Sequence, residues 1–389
     1  MMNKLRILFV THTVAMQGAN HSLLRLILEL RDNYGVEPMV LMPHIPASYE
    51  KWNLLKACHD AGIECKSLRF YWFKENPRVV SFLRCLSNLW WYPLIYLKLR
   101  RGAFVIVHSN SSVISLGAFL SSMMKCRHVW HLREAASLHY HFKSLLGKRY
   151  EQWVYKHADV FVPISETIKE FYLKSLPANK LRMIYNGVLP VSQEALAQHD
   201  NAQLQFCMVG LLTVPKNQLE ALKAINILVN EWGLKELHLT FIGFEEPVYA
   251  KELHAFIDGN GLGEYVSFLG ERNDVCAQLK KMDVGLMLSN FEAFGRVTVE
   301  YMMQGLAVIA CDTGANAEIV EEGQTGWICK FNDTYDLASK MRLLIENRDQ
   351  MLGFAKEGRK RALRLFSSHK NTEHIFHLYQ ELTHNHEKV

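Results

Sequence analysis

The amino-acid sequence predicts an α/β protein built from two doubly wound domains. At 389 residues, the chain exceeds the size that one hydrophobic core usually serves, so two domains are expected. Near its start, a buried-strand pattern at residues 5–10 is followed by a loop with Gly18 and an amphipathic helix at residues 23–30. Later, residues 284–310 show a strand–loop–helix–strand pattern, the repeating unit of a parallel sheet.

The composition is that of an ordinary globular enzyme, with 49% hydrophobic and 21% charged residues. The net charge of +5 permits attraction to anionic ligands or membrane surfaces. No nucleic-acid motif accompanies it, so no nucleic-acid partner is expected. Eight scattered cysteines without a C-x-x-C pair predict reduced thiols in a cytoplasmic protein. The first residues lack the long apolar core of a signal peptide, and no run is long enough to span a membrane.

Two carboxylates in residues 289–314 are the strongest candidates for a ligand site. Glu292 is expected in a loop at the carboxyl end of a strand, and Glu300 in the early part of the next helix. Ligands of open α/β sheets bind at that edge. A fixed carboxylate suits neighbouring sugar hydroxyls, and the helix opened by Phe294 and Gly295 favours phosphate oxygens. The pattern fits a nucleotide-sugar, although the spacing alone equally allows two solvated surface charges.

The same segment carries a long motif at fixed offsets, which consists of Glu292-Ala293-Phe294-Gly295, Glu300, Gly305, Val308, Gly314 and Glu318-Ile319-Val320. It resembles the signature of glycosyltransferase family 4, whose members are retaining enzymes of the GT-B architecture. The resemblance covers most of the chain and is strongest after Tyr185. It implies that Glu292, with Ala293, Phe294 and Gly295, orients a donor sugar. It also implies that Glu300 holds the ribose, and that neither carboxylate forms a covalent intermediate.

Domain boundaries follow from a change in composition together with this resemblance. Residues 189–203 are polar and irregular, so we expect a linker there. It would join an N-terminal acceptor-side domain, residues 1–188, to a nucleotide-sugar-binding domain, residues 204–368. The resemblance implies that two Rossmann-like domains face each other. It also implies that a last helix within residues 369–389 crosses back onto the first domain, as its apolar spacing allows.

A lysine and several glycines complete the expected donor site. Lys216 precedes a helix amino terminus, where a cation and free amides together favour a phosphate. The resemblance implies further donor contacts at Gly18 and Gly210. It places the nucleobase near Gly270 and Arg272, where backbone groups do most of the binding. The sequence therefore predicts a donor site that draws on several loops.

Two positions depart from the family pattern. The chain has Gly18-Ala19 where the family usually has two glycines. It has Leu211 where the family commonly has an arginine that contacts the diphosphate. Arg272 or Arg296 could supply this missing cation, and the sequence leaves the choice open. The departure at Leu211 is also the best support for an alternative in which the protein binds a nucleotide-sugar without turnover.

A histidine in the first domain is predicted to reach the donor. Residues 128–134 predict a strand that ends at His131 and is followed by charged groups, which places this histidine at the ligand edge. The resemblance implies that His131 contacts the donor sugar and acts in catalysis together with Glu292 and Lys216. A structural histidine paired with Glu134 is the alternative. The irregular spacing of the nearby histidines does not fit zinc, and no D-x-D motif is evident, so neither a metal nor a cofactor is expected.

Residues 85–97 are apolar and aromatic and include Trp90, Trp91 and Pro93. Cations flank them on both sides, namely Arg84, Lys98, Arg100 and Arg101. The segment is too short to span a bilayer, and its composition is typical of a helix that lies on a membrane surface. A core helix with a basic end is the alternative interpretation.

Together these features predict a retaining glycosyltransferase that moves a hexosyl or N-acetylhexosaminyl group from a UDP- or GDP-sugar to a hydroxyl group. The expected acceptor is a saccharide or a lipid-linked saccharide, in the assembly of bacterial surface polysaccharides or glycoconjugates. The expected location is the cytoplasm, with peripheral contact at the inner face of the membrane as a hypothesis. A sugar-nucleotide epimerase or a phosphorylase on the same scaffold is the other catalytic alternative.

Overall fold

The structure is a computed structural model of the chain. It describes residues 5–16, 18–44, 53–139, 141–193, 196–197 and 202–384. The chain forms two compact units, Met1–Gly187 with Ser368–Val389, and Val188–Ser367. Within the described ranges, no helix is both long and apolar enough to cross a bilayer.

The first unit is built on a six-stranded parallel sheet. Its strands are β1 (Arg6–Val10), β2 (Glu37–Pro43), β3 (Glu64–Leu68), β5 (Ile106–Ser109), β6 (Arg127–Leu132) and β8 (Val160–Pro163), and a separate antiparallel ribbon pairs β4 (Lys74–Glu75) with β7 (Lys143–Ser144). The order across the sheet is β3-β2-β1-β5-β6-β8. The helices that precede the second unit are α1 (Gly18–Tyr34), α2 (Leu54–Asp60), α3 (Val79–Leu99), α4 (Leu116–Met124), α5 (Ala136–His139), α6 (Gly147–Lys156) and α7 (Glu166–Leu173), with a 3₁₀ turn at Ala178–Lys180.

Alternate residues of β1 enter two different hydrophobic cores, because successive strand side chains point to opposite faces. Ile7 and Phe9 join the core under α1 and α2, whereas Leu8 and Val10 join the core under α3 and α4. Both faces of the sheet are therefore covered. This explains why the strands are continuous apolar runs rather than alternating ones.

The second unit contains another six-stranded parallel sheet. Its strands are β9 (Leu204–Val209), β10 (Leu237–Ile242), β11 (Val266–Phe268), β12 (Val284–Met287), β13 (Ala307–Cys311) and β14 (Gly326–Cys329), in the order β11-β10-β9-β12-β13-β14. Its helices are α8 (Gln218–Asn226), α9 (Pro247–Gly259), α10 (Val275–Leu279), α11 (Arg296–Gln304), α12 (Asn316–Ile319), α13 (Thr334–Glu346) and α14 (Arg348–Phe366). A 3₁₀ turn, Val214–Lys216, precedes α8, and a π-helical turn, Ile227–Glu231, follows it.

The last helix, α15 (Ser368–His384), belongs to the first unit. Tyr379 is fully buried on it, and its hydroxyl lies 2.6 Å from Nδ1 of His108 in β5. At its start, Asn371 Nδ2 donates to the carbonyl of Tyr185 over 2.7 Å. The predicted fold class is confirmed, with two Rossmann-like sheets and a terminal helix that returns to the first domain.

Two local predictions differ from the structure. The sequence places Gly18 inside a loop, whereas it is the first residue of α1. A Cβ added at this position would have no atom of the described residues within 4 Å, apart from its chain neighbours and its own helix. The predicted linker at residues 189–203 lies partly outside the described residues. Where it is described, it contacts the second unit, since the amide of Ala197 donates to the carbonyl of Gln304.

Candidate active site

The second unit has a topological switch point between β9 and β12. From β9 the chain builds outward to β10 and β11, whereas from β12 it builds in the opposite direction to β13 and β14. The loops that leave these two neighbouring strands therefore diverge above the carboxyl edge of the sheet. In open α/β sheets such a crevice is the usual place for a ligand.

Lys216 and Glu292 lie one on each of these two loops and form an ion pair. The Nζ of Lys216 lies 2.6 Å from Oε1 of Glu292. The lysine side chain is 35% exposed, and the glutamate side chain is 16% exposed. The loops are also joined through their backbones, since the amide of Asn290 donates to the carbonyl of Pro215 over 2.9 Å. The predicted phosphate-binding cation and the predicted sugar-binding carboxylate thus contact each other.

The backbone of the Glu292 loop is fixed by the segment that follows β13. The amide of Ala315 donates to the carbonyl of Glu292 over 2.8 Å, and the hydroxyl of Thr313 donates to the carbonyl of Ser289 over 2.6 Å. Gly314 lies so close that a Cβ added to it would be 2.2 Å from the carbonyl oxygen of Glu292. Its φ of +56° also favours glycine. The glycine is therefore required for this contact, which holds Glu292 in place.

Helix α11 begins directly after Gly295, whose φ of +74° is left-handed. On its first turns, Arg296 Nε donates to Oε1 of Glu300 over 2.8 Å. Tyr301 anchors the helix to the sheet, because its hydroxyl accepts a hydrogen bond from the amide of Val209 at the end of β9. Gly285 in β12 leaves room for the Tyr301 ring, which an added Cβ would meet at 2.2 Å.

The other predicted donor-site residues of the second unit lie on neighbouring loops. Gly210 follows β9 and Gly270 follows β11, and both have positive φ. Arg272 contacts its own loop, with Nε and Nη2 at 2.8 and 2.9 Å from the carboxylate of Asp274. Leu211, which occupies the position of the family arginine, is 56% exposed. No cation is therefore present at that position.

Ala293 and Phe294 connect Glu292 to the start of α11. Ala293 is half-buried, whereas Phe294 is buried and packs edge-on against Phe366 of α14 at 5.8 Å between ring centroids. Phe294 therefore anchors the loop in the core through its ring, and its contact with a donor stays a prediction.

His131 lies one residue before the end of strand β6, whereas the sequence predicts that the strand ends at His131 itself. Strand β6 continues to Leu132, and the side chain of His131 is fully buried within the sheet. Its Nδ1 lies 3.1 Å from Nε2 of His108, whose Nδ1 in turn contacts the Tyr379 hydroxyl. The predicted partner Glu134 is replaced by His108. The Nε2 of His131 is buried and has no hydrogen-bond partner among the residues that the structure describes. Contact between His131 and a donor sugar stays a prediction.

Polar side chains gather instead at the carboxyl edge of the first sheet, just beyond β1, β5 and β6. Arg133 is buried, and its Nε and Nη1 donate to the Oδ1 atoms of Asn110 and Asn186 over 2.7 and 2.9 Å. The loop after β1 is organised by Asn20, which accepts from the Thr11 hydroxyl over 2.8 Å and donates to two carbonyls of that loop. The first unit therefore has its own fixed polar edge.

Two protein-family models match adjoining parts of the chain. Residues 16–190 match Glycosyltransferase Family 4, and residues 193–361 match Glycosyl transferases group 1. The chain belongs to glycosyltransferase family 4. It is therefore an enzyme that transfers a sugar from a nucleotide-sugar donor.

Individual proteins support this membership. The Bacillus subtilis protein EpsD, which is named as a glycosyltransferase, is 24% identical over 296 residues, which are 70% of this chain and 76% of EpsD. The lipopolysaccharide core biosynthesis mannosyltransferase LpcC of Rhizobium leguminosarum is 33% identical over 89 residues, which are 23% of this chain and 25% of LpcC. The crystal structure of Anabaena HepE in complex with UDP has a TM-score of 0.79 at 19% identity, over 97% of this chain and all of that chain. Because the sequence identity is this low, the likeness to HepE supports the GT-B fold and nothing further.

The sequence-based prediction gave no ligand-site role to Arg133 or Glu134 of this family 4 transferase. The strand was predicted to end at His131, but it ends one residue later, so the edge position passes to Arg133 and Glu134. A signal was present in the polar run of residues 109–112, which follows β5 and provides Asn110 as a partner for Arg133. Polar residues after two neighbouring parallel strands meet at one edge.

Burial keeps the histidines of the first sheet neutral. It lowers the pKa of His128 to about 3, and it holds the pKa values of His108 and His131 well below their usual range, with the Arg133 charge as the next cause. An unfolded histidine has a pKa near 6.5. At lower pH the unfolded chain therefore binds protons that the folded transferase excludes.

We expect the free energy of unfolding of the transferase to fall as the pH drops from about 6.5 to about 4. Each buried histidine contributes a slope of up to about 1.4 kcal/mol per pH unit, because stability rises with pH wherever the unfolded state binds more protons. The His128→Gln variant should show a shallower slope in chemical denaturation at several pH values. The exposed His374→Gln serves as the control. An unchanged slope in His128→Gln would contradict the prediction.

Proposed function

We propose that this transferase moves a hexosyl or N-acetylhexosaminyl group from a UDP-sugar to a saccharide hydroxyl, with retention of the anomeric configuration. The observation that carries the proposal is the Lys216–Glu292 pair at the switch point, beside the first turn of α11. UDP is favoured over GDP because HepE, which has the same fold, was crystallised with UDP. The relative LpcC is named for lipopolysaccharide core biosynthesis, which favours a role in the assembly of surface glycans.

The reaction needs a positive charge beside the leaving group. As the bond from the anomeric carbon to the diphosphate breaks, the sugar becomes oxocarbenium-like and negative charge grows on the phosphate oxygens. Lys216 would exchange its Glu292 partner for these oxygens and stabilise them. The Glu292 carboxylate would then be free to accept hydrogen bonds from the donor sugar. The acceptor oxygen bonds to the same face of the anomeric carbon, and its proton leaves with the diphosphate.

Glu300 is proposed to hold the ribose, and Arg296 to replace the cation that Leu211 lacks. Arg296 lies on the first turn of α11 and already contacts Glu300. Arg272 is the weaker candidate, because its Nε and Nη2 atoms both donate to the Asp274 carboxylate and its side chain is exposed. With two side-chain cations available for the diphosphate, we propose turnover without a metal ion.

Replacing Glu300 with alanine should weaken donor binding. The change removes charge-assisted hydrogen bonds worth about 1.5–3 kcal/mol, which corresponds to about a ten- to hundredfold loss of affinity. Calorimetric titration with the nucleotide-sugar selected from a screen of UDP- and GDP-sugars measures the loss. Glu264→Ala, an exposed change in the same unit, serves as the control. Equal donor affinity in the wild type and Glu300→Ala would remove the role given to this residue.

A matched pair of variants distinguishes between the two candidate cations, Arg296 and Arg272. We expect Arg296→Gln to lower kcat by about a hundredfold, which is typical for the loss of one group that stabilises a developing charge. Arg272→Gln should leave kcat near the wild-type value. The surface ion pair that Arg296 makes is worth less than about 1 kcal/mol to folding, so both variants should fold. A loss of turnover confined to Arg272→Gln would reverse the assignment.

A second part of the proposal concerns the outer face of α3. The helix buries Cys85, Tyr92 and Ile95 on one side, whereas Leu89 and Trp90 on the other side are 74% and 76% exposed. No acidic residue occurs between residues 79 and 101, and cations flank both ends. Aromatic and basic groups together suit the headgroup region of an anionic membrane. We propose that this face binds the membrane that carries a lipid-linked acceptor.

The exposed pair on α3 gives a direct test of membrane binding. The Leu89→Ser/Trp90→Ser variant should float with phosphatidylglycerol-containing vesicles at least about tenfold less than the wild type, because burial of each side chain is worth about 1.5–3 kcal/mol. Trp91 is left unchanged, since its ring faces the Arg69 guanidinium at 5.2 Å. The control is Trp153→Ser, which alters an exposed tryptophan on α6. Equal flotation of the α3 variant and the wild type would contradict membrane binding through this face.

A further inference from the structure

Two arginines of the first unit lie over aromatic rings beside helix α3. The guanidinium carbon of Arg69 is 5.2 Å from the centroid of the Trp91 ring, and that of Arg84 is 5.9 Å from the centroid of the Tyr71 ring. The negative face of an aromatic ring attracts such a cation. Both arginines are exposed, so the rings hold their charged groups in place at the surface.

The ring that contacts Arg84 belongs to a loop that is fixed to α3. Asn88 of the helix is buried, and its Oδ1 accepts a hydrogen bond from the amide of Tyr71 over 3.0 Å. Its Nδ2 donates to the carbonyl of the same tyrosine over 2.9 Å. Arg69 lies two residues before Tyr71 on the loop that follows β3, so the same pair of contacts helps to hold it beside Trp91.

These groups form a row along one side of α3. Arg84, Trp91 and Lys98 are spaced by seven residues, which is about two helical turns, so they lie on the same side of the helix. With Arg69 over Trp91, the row carries three cations, Arg69, Arg84 and Lys98, which we call the basic flank. Leu94 follows Trp91 by three residues and is 42% exposed, so the basic flank adjoins the exposed apolar face of the helix.

The basic flank has no anionic partner in the parts of the chain that the structure describes. There, none of its three side chains forms an ion pair or donates a hydrogen bond to the protein. A guanidinium presents parallel N–H groups that match two oxygens of a phosphate. Fixed arginines that border an apolar face are therefore suited to the phosphates at the surface of a lipid bilayer.

We propose that the basic flank binds the phosphate groups of anionic phospholipids and makes membrane binding selective for anionic membranes. The proposal rests on the membrane binding proposed above, to which it adds a partner for these three cations. The apolar face of α3 enters the headgroup region, and the flank beside it lies level with the phosphates. A lipid headgroup fits better than a free phosphate ion, because a soluble ion would leave the adjoining apolar side chains in water.

Vesicle binding by the full chain tests this assignment. Arg69→Gln/Arg84→Gln should bind phosphatidylglycerol-containing vesicles at least about tenfold more weakly than the wild type, because each cation near an anionic surface contributes to binding. Binding to vesicles of phosphatidylcholine alone should stay within about twofold. The control, Lys235→Gln/Lys251→Gln, removes the same charge from exposed positions of the second unit and should leave both affinities unchanged.

A single variant gives the same test without altering a ring contact. Lys98→Gln should weaken binding to the phosphatidylglycerol-containing vesicles about fivefold, as expected for the loss of one cation. It replaces the double variant if thermal melting shows that Arg69→Gln/Arg84→Gln does not fold.

Each contrary result has its own meaning. Wild-type binding of the anionic vesicles by the variants would show that the basic flank does not contact the lipid. An equal loss in the lysine control would make net charge responsible rather than this flank. An equal loss on both kinds of vesicle would give the arginines a structural part in holding α3 instead of a phosphate to bind. A wild-type protein that binds neither kind of vesicle would overturn the membrane binding proposed above, together with the site that rests on it.

Discussion

One constraint of parallel sheets shapes both units of this protein: every strand delivers its following loop to the same edge. In the second unit, the chain diverges between β9 and β12, and the loops that follow these two strands meet at that edge. Lys216 and Glu292 reach it from loops that are far apart in sequence. In the first unit, the same rule brings Asn110 and Arg133 together beyond two neighbouring strands, where a hydrogen bond joins them. The chemistry of the enzyme is therefore a consequence of strand order.

Close backbone contacts hold these loops in place. Gly314 lies against the backbone of Glu292, and Gly243 lies against the backbone of Gly210, where an added Cβ would meet a carbonyl oxygen at 1.9 Å. Gly285 admits the ring of Tyr301 under α11. Side chains at a binding site must be positioned to a fraction of an ångström. Here glycines provide that precision by allowing backbone segments to touch.

The sequence could predict the α/β class, the two Rossmann-like sheets and the returning helix, because buried strands and amphipathic helices leave local patterns. It could also predict family membership, since the motif residues from Glu292 to Val320 lie at fixed offsets within one segment of the chain. It could not predict that Lys216 contacts Glu292, because that contact depends on how the two strands are placed in the sheet. It ended strand β6 at His131, one residue early, and so did not single out Arg133, which lies beyond the strand and donates to Asn110. The role of His131 stays a prediction.

The contact between Lys216 and Glu292 has a consequence for substrate exchange. Glu292 is a counter-ion for Lys216 within the site itself. If Lys216 binds the donor diphosphate as we propose, the diphosphate must displace a carboxylate rather than water alone, so part of its electrostatic attraction is offset. On the same proposal, the glutamate can pair with the lysine again after the reaction and so weaken the binding of the nucleotide product.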